Sequence, residues 1–349
     1  MRYGFWLPVF GGWLRNVEDE NMPTTFEYAK EVIQSAEKWG YEATLILELY
    51  LNDIKGVKKD TLEGWSLAAA LAAVTEKIEI IQALRPIYHN PAVTAKQAAT
   101  IDHISQGRFT LNVVSGWWEE EAKQYGGDFT SHDERYERTS EFVEILKGLW
   151  TEETFSYQGK YYKIENTHLF PKPVQKPTIK LYAGGESDKG KEVISNYCDA
   201  YVMHGGTVDE VKVKIEDMKQ RRAKAGKQPL ATFGMAAYVI CRDTENEAYA
   251  ELERITNVKD LSGYAGFKDF TTKSELEQKL QLQDYSVSNR GLRPNLVGTP
   301  EQIAKRILEY EKAGVNLLLL QCSPQLEEME RFAKRVMPKV EELRGALTK

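Results

Sequence analysis

One buried amide is the first residue in the chain whose type calls for a ligand. The apolar run Phe109–Val114 is interrupted by Asn112 and is followed at once by Ser115 and Gly116. An amide inside a hydrophobic strand is costly unless it finds a hydrogen-bond partner. A helix is predicted to begin near Asp133, just beyond an acidic loop. A bound polar molecule at the end of this strand is therefore the partner that we expect.

A glycine pair after a second apolar run is the best candidate anion site. Backbone N–H groups at the start of a helix favour a phosphate. The same pattern also fits a plain glycine turn in which Ser or Asp caps the helix without any ligand. The run Ile179–Ala183 leads into Gly184, Gly185, Glu186, Ser187 and Asp188.

A cation and a hydroxyl near the start of the fourth predicted helix could reach the same anion. Arg135 and Tyr136 lie there, although they also fit an ordinary solvated helix face. His132 precedes the same helix and suits either a cap or a ligand contact. His204, at the end of an apolar run, is the better histidine for contact with a substrate.

Neither a metal cluster nor an activated nucleophile is visible. The five histidines lack a spacing such as H-E-x-x-H, so no metal site is predicted. Ser115 lies in V-S-G-W rather than in G-x-S-x-G. Polar groups of this kind suit a phosphate-bearing cofactor that brings its own reactivity.

Eight apolar runs alternate with segments of helical period. Such alternation predicts an α/β fold with parallel strands and right-handed crossovers, and eight units usually close into a (β/α)8 TIM barrel with its site at the carboxyl ends of the strands. A doubly wound open sheet is the alternative, but no G-x-G-x-x-G follows the first strand. The predicted strands are Tyr3–Val9, Thr44–Leu47, Ile78–Leu84, Phe109–Val114, Ile179–Ala183, Ala200–Met203, Phe233–Cys241 and Asn316–Gln321. The predicted helices are Thr25–Trp39, Leu62–Val74, Ala92–Ile104, Glu134–Trp150, Lys189–Asn196, Val208–Lys224, Glu245–Ile255 and Gln325–Leu343.

Two stretches interrupt this rhythm within a chain that is predicted to be one domain, 1–349. Residues 151–176 are rich in Tyr and Pro and are predicted to form a small hairpin excursion. Residues 258–300 are long and polar and precede the eighth strand. Long insertions in compact domains are often lids, so we expect a partly helical lid over the barrel mouth.

The composition excludes several classes of protein. The 349 residues include 46 Lys and Arg against 52 Asp and Glu, a formal net charge of −6, which is unsuited to nucleic acid. Three separated cysteines without C-x-x-C spacing indicate a reducing cytoplasm. The apolar start is too short for a signal peptide, and no apolar run approaches ~18 residues, so no membrane association is expected.

Four separated motifs resemble the bacterial luciferase-like flavin monooxygenases. The resemblance extends along nearly the whole chain and is closest to the FMNH2-dependent dimethylsulfone and alkanesulfonate branch, with pyrimidine-opening enzymes also similar. The motifs are Q-A-A-T-I-D-H-I-S-Q-G-R-F-T-L-N-V-V-S-G-W (97–117), S-H-D-E-R-Y-E-R-T-S-E-F (131–142), L-Y-A-G-G-E-S-D (181–188) and N-L-V-G-T-P-E-Q-I-A (295–304).

The resemblance implies FMN at the carboxyl ends of the strands. Asn112 would bond the isoalloxazine edge, and Glu121 would lie close to the flavin. Glu48 and Leu49 would approach the ring. The ribityl phosphate would be held by Arg135, Tyr136, Gly185 and Ser187. The full set of implied cofactor-binding residues is Glu48, Leu49, Asn112, Ser115, Glu121, His132, Arg135, Tyr136, Gly184, Gly185, Glu186 and Ser187.

The resemblance also implies a two-component reaction. A separate NAD(P)H-dependent flavin reductase supplies FMNH2, O2 adds to it, and the resulting flavin (hydro)peroxide oxidises and cleaves the substrate. A lid must then exclude water. Arg290 and Arg293 lie near the hinge of the lid candidate and join His204 as catalytic candidates. Members of this family usually form homodimers or homotetramers through helices 2 and 3. Helix 2 offers a face of small and apolar residues, Leu67, Ala68, Leu71 and Ala72, which also fits plain packing onto the barrel.

One departure from the alkanesulfonate pattern bears on the substrate. Those enzymes grip the sulfonate with Arg and His on strand 7 and with Tyr after strand 8, whereas the matching positions here are Ala236, Tyr238 and Ser323. An enclosed anion needs a fixed cation. We therefore expect a sulfone such as dimethylsulfone rather than an alkanesulfonate, although Arg85 or a lid arginine could substitute. A pyrimidine-type monooxygenase, an F420-dependent hydride-transfer enzyme and a catalytically silent flavin holder are the alternatives.

Overall fold

Eight short parallel strands close into a ring in the computed structural model, which describes residues 1–258, 261, 264, 266–277 and 280–347. The remaining three strands form a hairpin (β5 and β6) and an addition to the edge of β9 (β10). The strands are β1 (Arg2–Trp6), β2 (Ala43–Ile46), β3 (Glu79–Leu84), β4 (Phe109–Val113), β5 (Phe155–Gln158), β6 (Lys163–Thr167), β7 (Leu181–Ala183), β8 (Ala200–Met203), β9 (Thr232–Cys241), β10 (Leu296–Gly298) and β11 (Leu317–Gln321).

The ring closes between the first and last strands of the chain. Its order is β1, β2, β3, β4, β7, β8, β9 and β11, and every neighbouring pair is parallel. At the closing edge, between β1 and β11, Arg2 pairs with Leu317. At the neighbouring edge, between β11 and β9, Gln321 pairs with Tyr238. The predicted (β/α)8 barrel is thereby confirmed, and its strands are almost wholly buried because helices cover them from outside.

Helices follow the barrel strands, and side-chain caps mark many of their starts. Ser131, Thr207, Thr244 and Thr299 each open a capping box, in which the residue three positions on returns the hydrogen bond. The helices are α1 (Phe26–Lys38), α2 (Gly64–Ala72), α3 (Pro91–Ile104), α4 (Glu119–Gln124), α5 (His132–Thr151), α6 (Asp188–Tyr197), α7 (Val208–Lys224), α8 (Glu245–Thr256), α9 (Phe267–Lys273), α10 (Pro300–Ala313), α11 (Gln325–Arg331) and α12 (Met337–Leu347).

Three sequence predictions about these elements are wrong. The first strand ends at Trp6 rather than Val9, because the Val9 N–H turns back to the carbonyl of Leu7 at 3.0 Å. The acidic stretch that was expected to be a loop forms α4. β10 and α10 were not predicted, although Thr299, with Gln302 three residues later, is a capping-box signal.

The two irregular stretches also have defined structure. β5 and β6 pair antiparallel within 151–176. In the described part of 258–300 the chain forms α9 and the 3-10 helices Leu282–Tyr285 and Ser288–Arg290. Part of the predicted lid, residues 259–260, 262–263, 265 and 278–279, lies outside the described residues. In the part that is described, no helix is both long and apolar enough to cross a membrane.

The face of α2 that was predicted as a possible oligomer contact packs inside the same chain. Leu67 is 6% exposed and Leu71 is fully buried, and both belong to the continuous hydrophobic core. This face packs on the barrel, so it does not supply the oligomer contact that the sequence suggested.

Two polar residues of the 97–117 motif stabilise the barrel away from its mouth. Asp102 is buried and accepts the backbone N–H of Gln175 at 3.0 Å and its side-chain amide at 2.7 Å. Arg108 precedes β4, at the amino end of the strands. Its guanidinium donates to the carbonyls of Ala72, Thr75 and Ile78 at 3.1, 2.9 and 2.8 Å. These bonds join α2, β3 and β4, and at this end of a barrel they serve stability.

Replacing Arg108 with Met should lower the free energy of unfolding by about 2–3 kcal/mol, because three carbonyls lose a charged donor. Urea denaturation measures the change. Arg254→Met is the matched control, since Arg254 is exposed and pairs with Glu251 one helical turn away; its effect should stay below about 0.5 kcal/mol. Equal losses in the two variants would contradict this assignment.

Candidate active site

A deep cavity opens at the carboxyl ends of the barrel strands. Its empty volume, counting the open mouth, is about 1390 Å³. The loops after β1, β2, β3, β4, β7 and β8 line it, together with the segment that carries α9. The predicted site residues that line it are Glu48, Leu49, Asn112, Ser115, His132, Arg135, Tyr136, Gly184, Gly185, Glu186, Ser187 and His204.

One end of the cavity is built around the start of α6. Ser187 caps this helix by accepting the Gly190 N–H at 3.1 Å. A Cβ on Gly190 would lie 2.8 Å from the Tyr136 hydroxyl, and one on Gly185 would lie 3.1 Å from it. Glycine is needed at both positions because the phenol approaches the backbone so closely. The two hydroxyls and the helix start thus converge on one point.

The charges at this end suit a dianion. Burial raises the pKa of Tyr136, which keeps the phenol neutral as a hydrogen-bond donor. Arg135 is buried and donates to the carbonyls of Thr130 and Lys273 at 2.8 and 2.9 Å, while its Nε has no partner among the described residues. A neutral donor, a cation and backbone N–H groups are the set that holds a phosphate.

Asn112, on β4, also lines the cavity. The residue is 5% exposed, and its Oδ1 is buried without a partner in the described part of the chain. Nearby, Ser115 Oγ lies 3.0 Å from Thr139 Oγ1. A buried acceptor without a donor is costly, and an N–H on the edge of a flat heterocycle would satisfy it.

Glu48 and Glu121 belong to one network around Arg85. Glu48 accepts the Trp65 indole N–H at 2.9 Å, the Arg85 backbone N–H at 2.5 Å and contacts His89 Nε2 at 2.5 Å. Glu121 pairs with the Arg85 guanidinium and accepts the Tyr50 N–H at 2.6 Å. Glu121 is fully buried and does not line the cavity, because Arg85 and the 50–51 backbone use both of its oxygens. It lies behind the cavity wall rather than beside a cavity ligand as expected.

His204 is held as a neutral imidazole. Arg290 donates to its Nδ1 at 2.6 Å, so Nε2 carries the proton. Burial and the charge of Arg290 lower the pKa of His204 to about 3. Although burial opposes ionisation of Glu186, the positive surroundings formed by His204, Arg290 and Lys214 lower its pKa. The neutral tautomer of His204 is therefore fixed across the physiological pH range.

The two candidate arginines occupy different places. Arg290 is buried behind His204 and Glu186 and reaches the cavity only through them. Arg293 pairs with Glu210 at 2.6 Å and does not line the cavity. Neither residue lines the cavity, because each guanidinium is used in an ion pair that anchors the end of the 3-10 helix Ser288–Arg290 or the turn just after it.

The segment that carries α9 covers the cavity mouth and is tied down by ion pairs. Lys273 pairs with Glu119 at 2.8 Å, and Glu277 pairs with Lys191 and Lys214 at 2.5 and 3.3 Å. The residues of this segment that line the cavity are Phe270, Lys273, Ser274, Glu275, Leu276, Tyr285, Ser288 and Asn289.

The sequence analysis missed a charged pair at the other end of the cavity. Arg15 and Asp53 are buried, line the cavity and form an ion pair. The Arg15 guanidinium lies 4.0 Å from the centre of the Tyr285 ring, and the Tyr285 hydroxyl donates to Asp53 at 3.3 Å. Both residues lie in loops that follow barrel strands, the first and the second. Because such loops carry the active site in a barrel, this position could have indicated them from the sequence.

Comparison with known proteins agrees with this architecture. The sequence model of the luciferase-like monooxygenases matches residues 1–317. The chain is 34% identical over 353 residues to the FMNH2-dependent dimethylsulfone monooxygenase of Pseudomonas putida, covering 98% of this chain and 96% of that protein. The corresponding protein of Pseudomonas fluorescens strain Pf0-1 is 32% identical, with 98% and 95% covered.

Solved structures show the same fold at lower identity. A riboflavin lyase with modified FMN and riboflavin superposes with a TM-score of 0.83 at 20% identity, covering 99% of this chain and 92% of the lyase. Because the family model covers most of the chain and the Pseudomonas putida relative aligns over its whole length, the chain belongs to the luciferase-like monooxygenase family.

Proposed function

We propose that the protein is a two-component FMNH2-dependent monooxygenase that uses O2 to oxidise and cleave a small organosulfur compound, with a sulfone such as dimethylsulfone favoured over an alkanesulfonate. The observation that carries the proposal is that Asn112, Tyr136 and Ser187 line one cavity at the carboxyl ends of the barrel strands. Membership of the monooxygenase family and the names of the full-length relatives support it.

The residues present fit FMN. Tyr136, Ser187, Gly185 and Arg135 would hold the phosphate, and the unpartnered Oδ1 of Asn112 would accept an N–H of the ring edge. Bound reduced FMN supplies the electrons that activate O2. The protein then has to bind, orient and enclose the reactants.

His204 is a hydrogen-bond donor in this site, and its proton stays on Nε2. Its Nε2–H, set by the Arg290 bond at Nδ1, is a donor that does not change charge near neutral pH. Such a donor stabilises negative charge that develops on oxygen without releasing a proton to it. Arg290 acts through His204 and Glu186 and is a positioning residue, and Arg293 anchors the same turn through Glu210.

The segment 258–300 acts as a lid in this proposal. Phe270 packs edge-on against both Trp117 and His204, with ring centres 5.4 and 5.8 Å apart. An aromatic cover of this kind excludes water from the reacting oxygen.

The substrate and partners follow from the same reasoning. Ala236, Tyr238 and Ser323 offer no cation for a sulfonate, which favours a neutral sulfone. The FMNH2 dependence of the relatives supports a separate NAD(P)H-dependent flavin reductase as partner. A cytoplasmic homodimer or homotetramer completes the proposal.

The decisive experiment supplies purified protein with FMN, NADH, O2 and a flavin reductase. It measures methanesulfinate and formaldehyde from dimethylsulfone, sulfite and formaldehyde from methanesulfonate and, as a pyrimidine control, the consumption of uracil. Sulfinate from the sulfone above the reductase-only background is expected. Product from uracil alone would replace the organosulfur proposal with the pyrimidine-type alternative. A titration that shows preference for F420 over FMN would replace it with hydride transfer.

Ser187→Ala should weaken FMN binding about tenfold, because the phosphate loses a hydroxyl and α6 loses its cap. Flavin fluorescence measures the dissociation constant. Ser195→Ala on the same helix is the control, since its hydroxyl bonds the Glu192 carbonyl and does not line the cavity. Equal flavin affinity in the two variants would place the phosphate elsewhere.

His204→Ala should lower the turnover number about 100-fold while FMN affinity stays within twofold of wild type. Since its folded pKa is about 3, His204 is neutral at every pH from 5 to 9 and should contribute no ionisation to the wild-type rate profile over that range. Stopped-flow and steady-state rates test both statements. A wild-type ionisation near pH 6.5 that disappears in His204→Ala would contradict the neutral assignment.

A further inference from the structure

We propose that Arg15 donates its free N–H groups to the oxygens of the substrate head, and that Asp53, by neutralising Arg15, restricts this subsite to a neutral head such as a sulfone. This inference rests on the proposed function and names what selects its substrate. It concerns the end of the cavity formed by the loops after β1 and β2, and it assigns a role to two residues that no sequence motif singled out.

The guanidinium of Arg15 has hydrogen-bonding capacity to spare. Its Nη2 pairs with Asp53, whereas Nε and Nη1 are buried without a partner among the described residues. The indole N–H of Trp6, which lines the same cavity, also has none. Buried donors left unpaired are costly, so their retention at a cavity wall indicates a ligand acceptor.

The surroundings hold Arg15 rigidly in place. Tyr285 stacks on the guanidinium, the Arg15 backbone N–H donates to the Ser286 carbonyl at 3.2 Å, and Asn16 donates to Ser286 Oγ at 3.2 Å. The first 3-10 helix of the lid therefore lies directly on the loop after β1. A donor fixed in this way loses little conformational entropy when it binds.

The charges at this end are already compensated. Arg15 forms an ion pair with Asp53. Arg85 forms one with Glu121 through Nη1, and its Nε lies 3.9 Å from Glu48 Oε2. A sulfonate entering here would have to shed its hydration without meeting an uncompensated cation among these residues. Sulfonyl oxygens of a neutral sulfone accept hydrogen bonds from the same N–H groups at no cost in net charge.

Asp53 supplies an internal test because it can be neutralised in the wild-type protein. The groups that face it are Arg15, the Tyr285 hydroxyl and Glu121, with Gly266 packed against its carboxylate. Burial raises the pKa of Asp53 to about 6, against the opposing effect of Arg15. Below pH 6 the carboxyl is neutral, and the charge of Arg15 is no longer compensated. Sulfonate binding should therefore tighten as the pH falls through 6, whereas sulfone binding should not.

The experiment measures anaerobic dissociation constants of dimethylsulfone and methanesulfonate for the FMN-loaded protein by flavin fluorescence, from pH 5 to 8. Arg15→Gln should weaken the sulfone at least about tenfold and leave FMN affinity within twofold, because two charged donors are lost. Asp53→Asn should tighten methanesulfonate about tenfold relative to the sulfone at pH 7.5 and abolish its pH dependence. Arg254→Gln, at an exposed ion pair, is the control and should change neither constant.

Four results would overturn the inference. The first three are no sulfone binding to the wild-type protein, unchanged sulfone affinity in Arg15→Gln, and equal loss of sulfone and FMN affinity in that variant. The fourth is a sulfonate dissociation constant of the wild-type protein that does not change with pH, and this test stands even if a variant folds poorly. Failure of the proposed function gives a different result. If sulfone binding depends on Arg15 but no sulfinate is released, the subsite is supported and the proposed reaction is not.

Discussion

The desolvation of charged side chains at the carboxyl ends of the strands governs the upper half of this barrel. An unpaired buried charge costs several kcal/mol, and Arg15, Arg85 and Arg290 each have a carboxylate beside them. The pairs also join separate loops: Arg15 with Asp53 links the loops after β1 and β2, and Arg85 with Glu121 links β3 to α4. A third pair, Glu186 with Arg290, ties the end of β7 to the lid. The shape of the cavity is thus fixed by charge compensation as much as by packing.

The same constraint separates the cavity into ends of different character. Near α6, a helix start, two hydroxyls and a cation leave positive potential for an anion. Near β1 and β2, the charges cancel and leave only directed N–H groups. A long ligand with an anionic tail would be oriented by this difference, with its uncharged end beside Arg15 and Trp6.

The sequence predicted the barrel well because each unit carries a local signal, such as an apolar strand followed by a capped, amphipathic helix. Asn112 and Ser187 were found for the same reason, since a strand end and a helix start can be read from neighbouring residues. Arg15 with Asp53 was not found, because their pairing depends on how two loops fold towards each other. The partners of Glu121 were not predicted either, since its pairing with Arg85 and with the Tyr50 N–H depends on contacts between distant parts of the chain.

Tyr285 has a consequence that extends beyond selection of the substrate. Its ring covers Arg15 and belongs to the segment that we propose as a lid, so any molecule that favours the ordered guanidinium would also favour a covered state. By thermodynamic reciprocity, the covered state must raise the affinity for that molecule by the same factor. An empty site would then open more readily than a filled one, and the flavin would be released mainly after the product has gone.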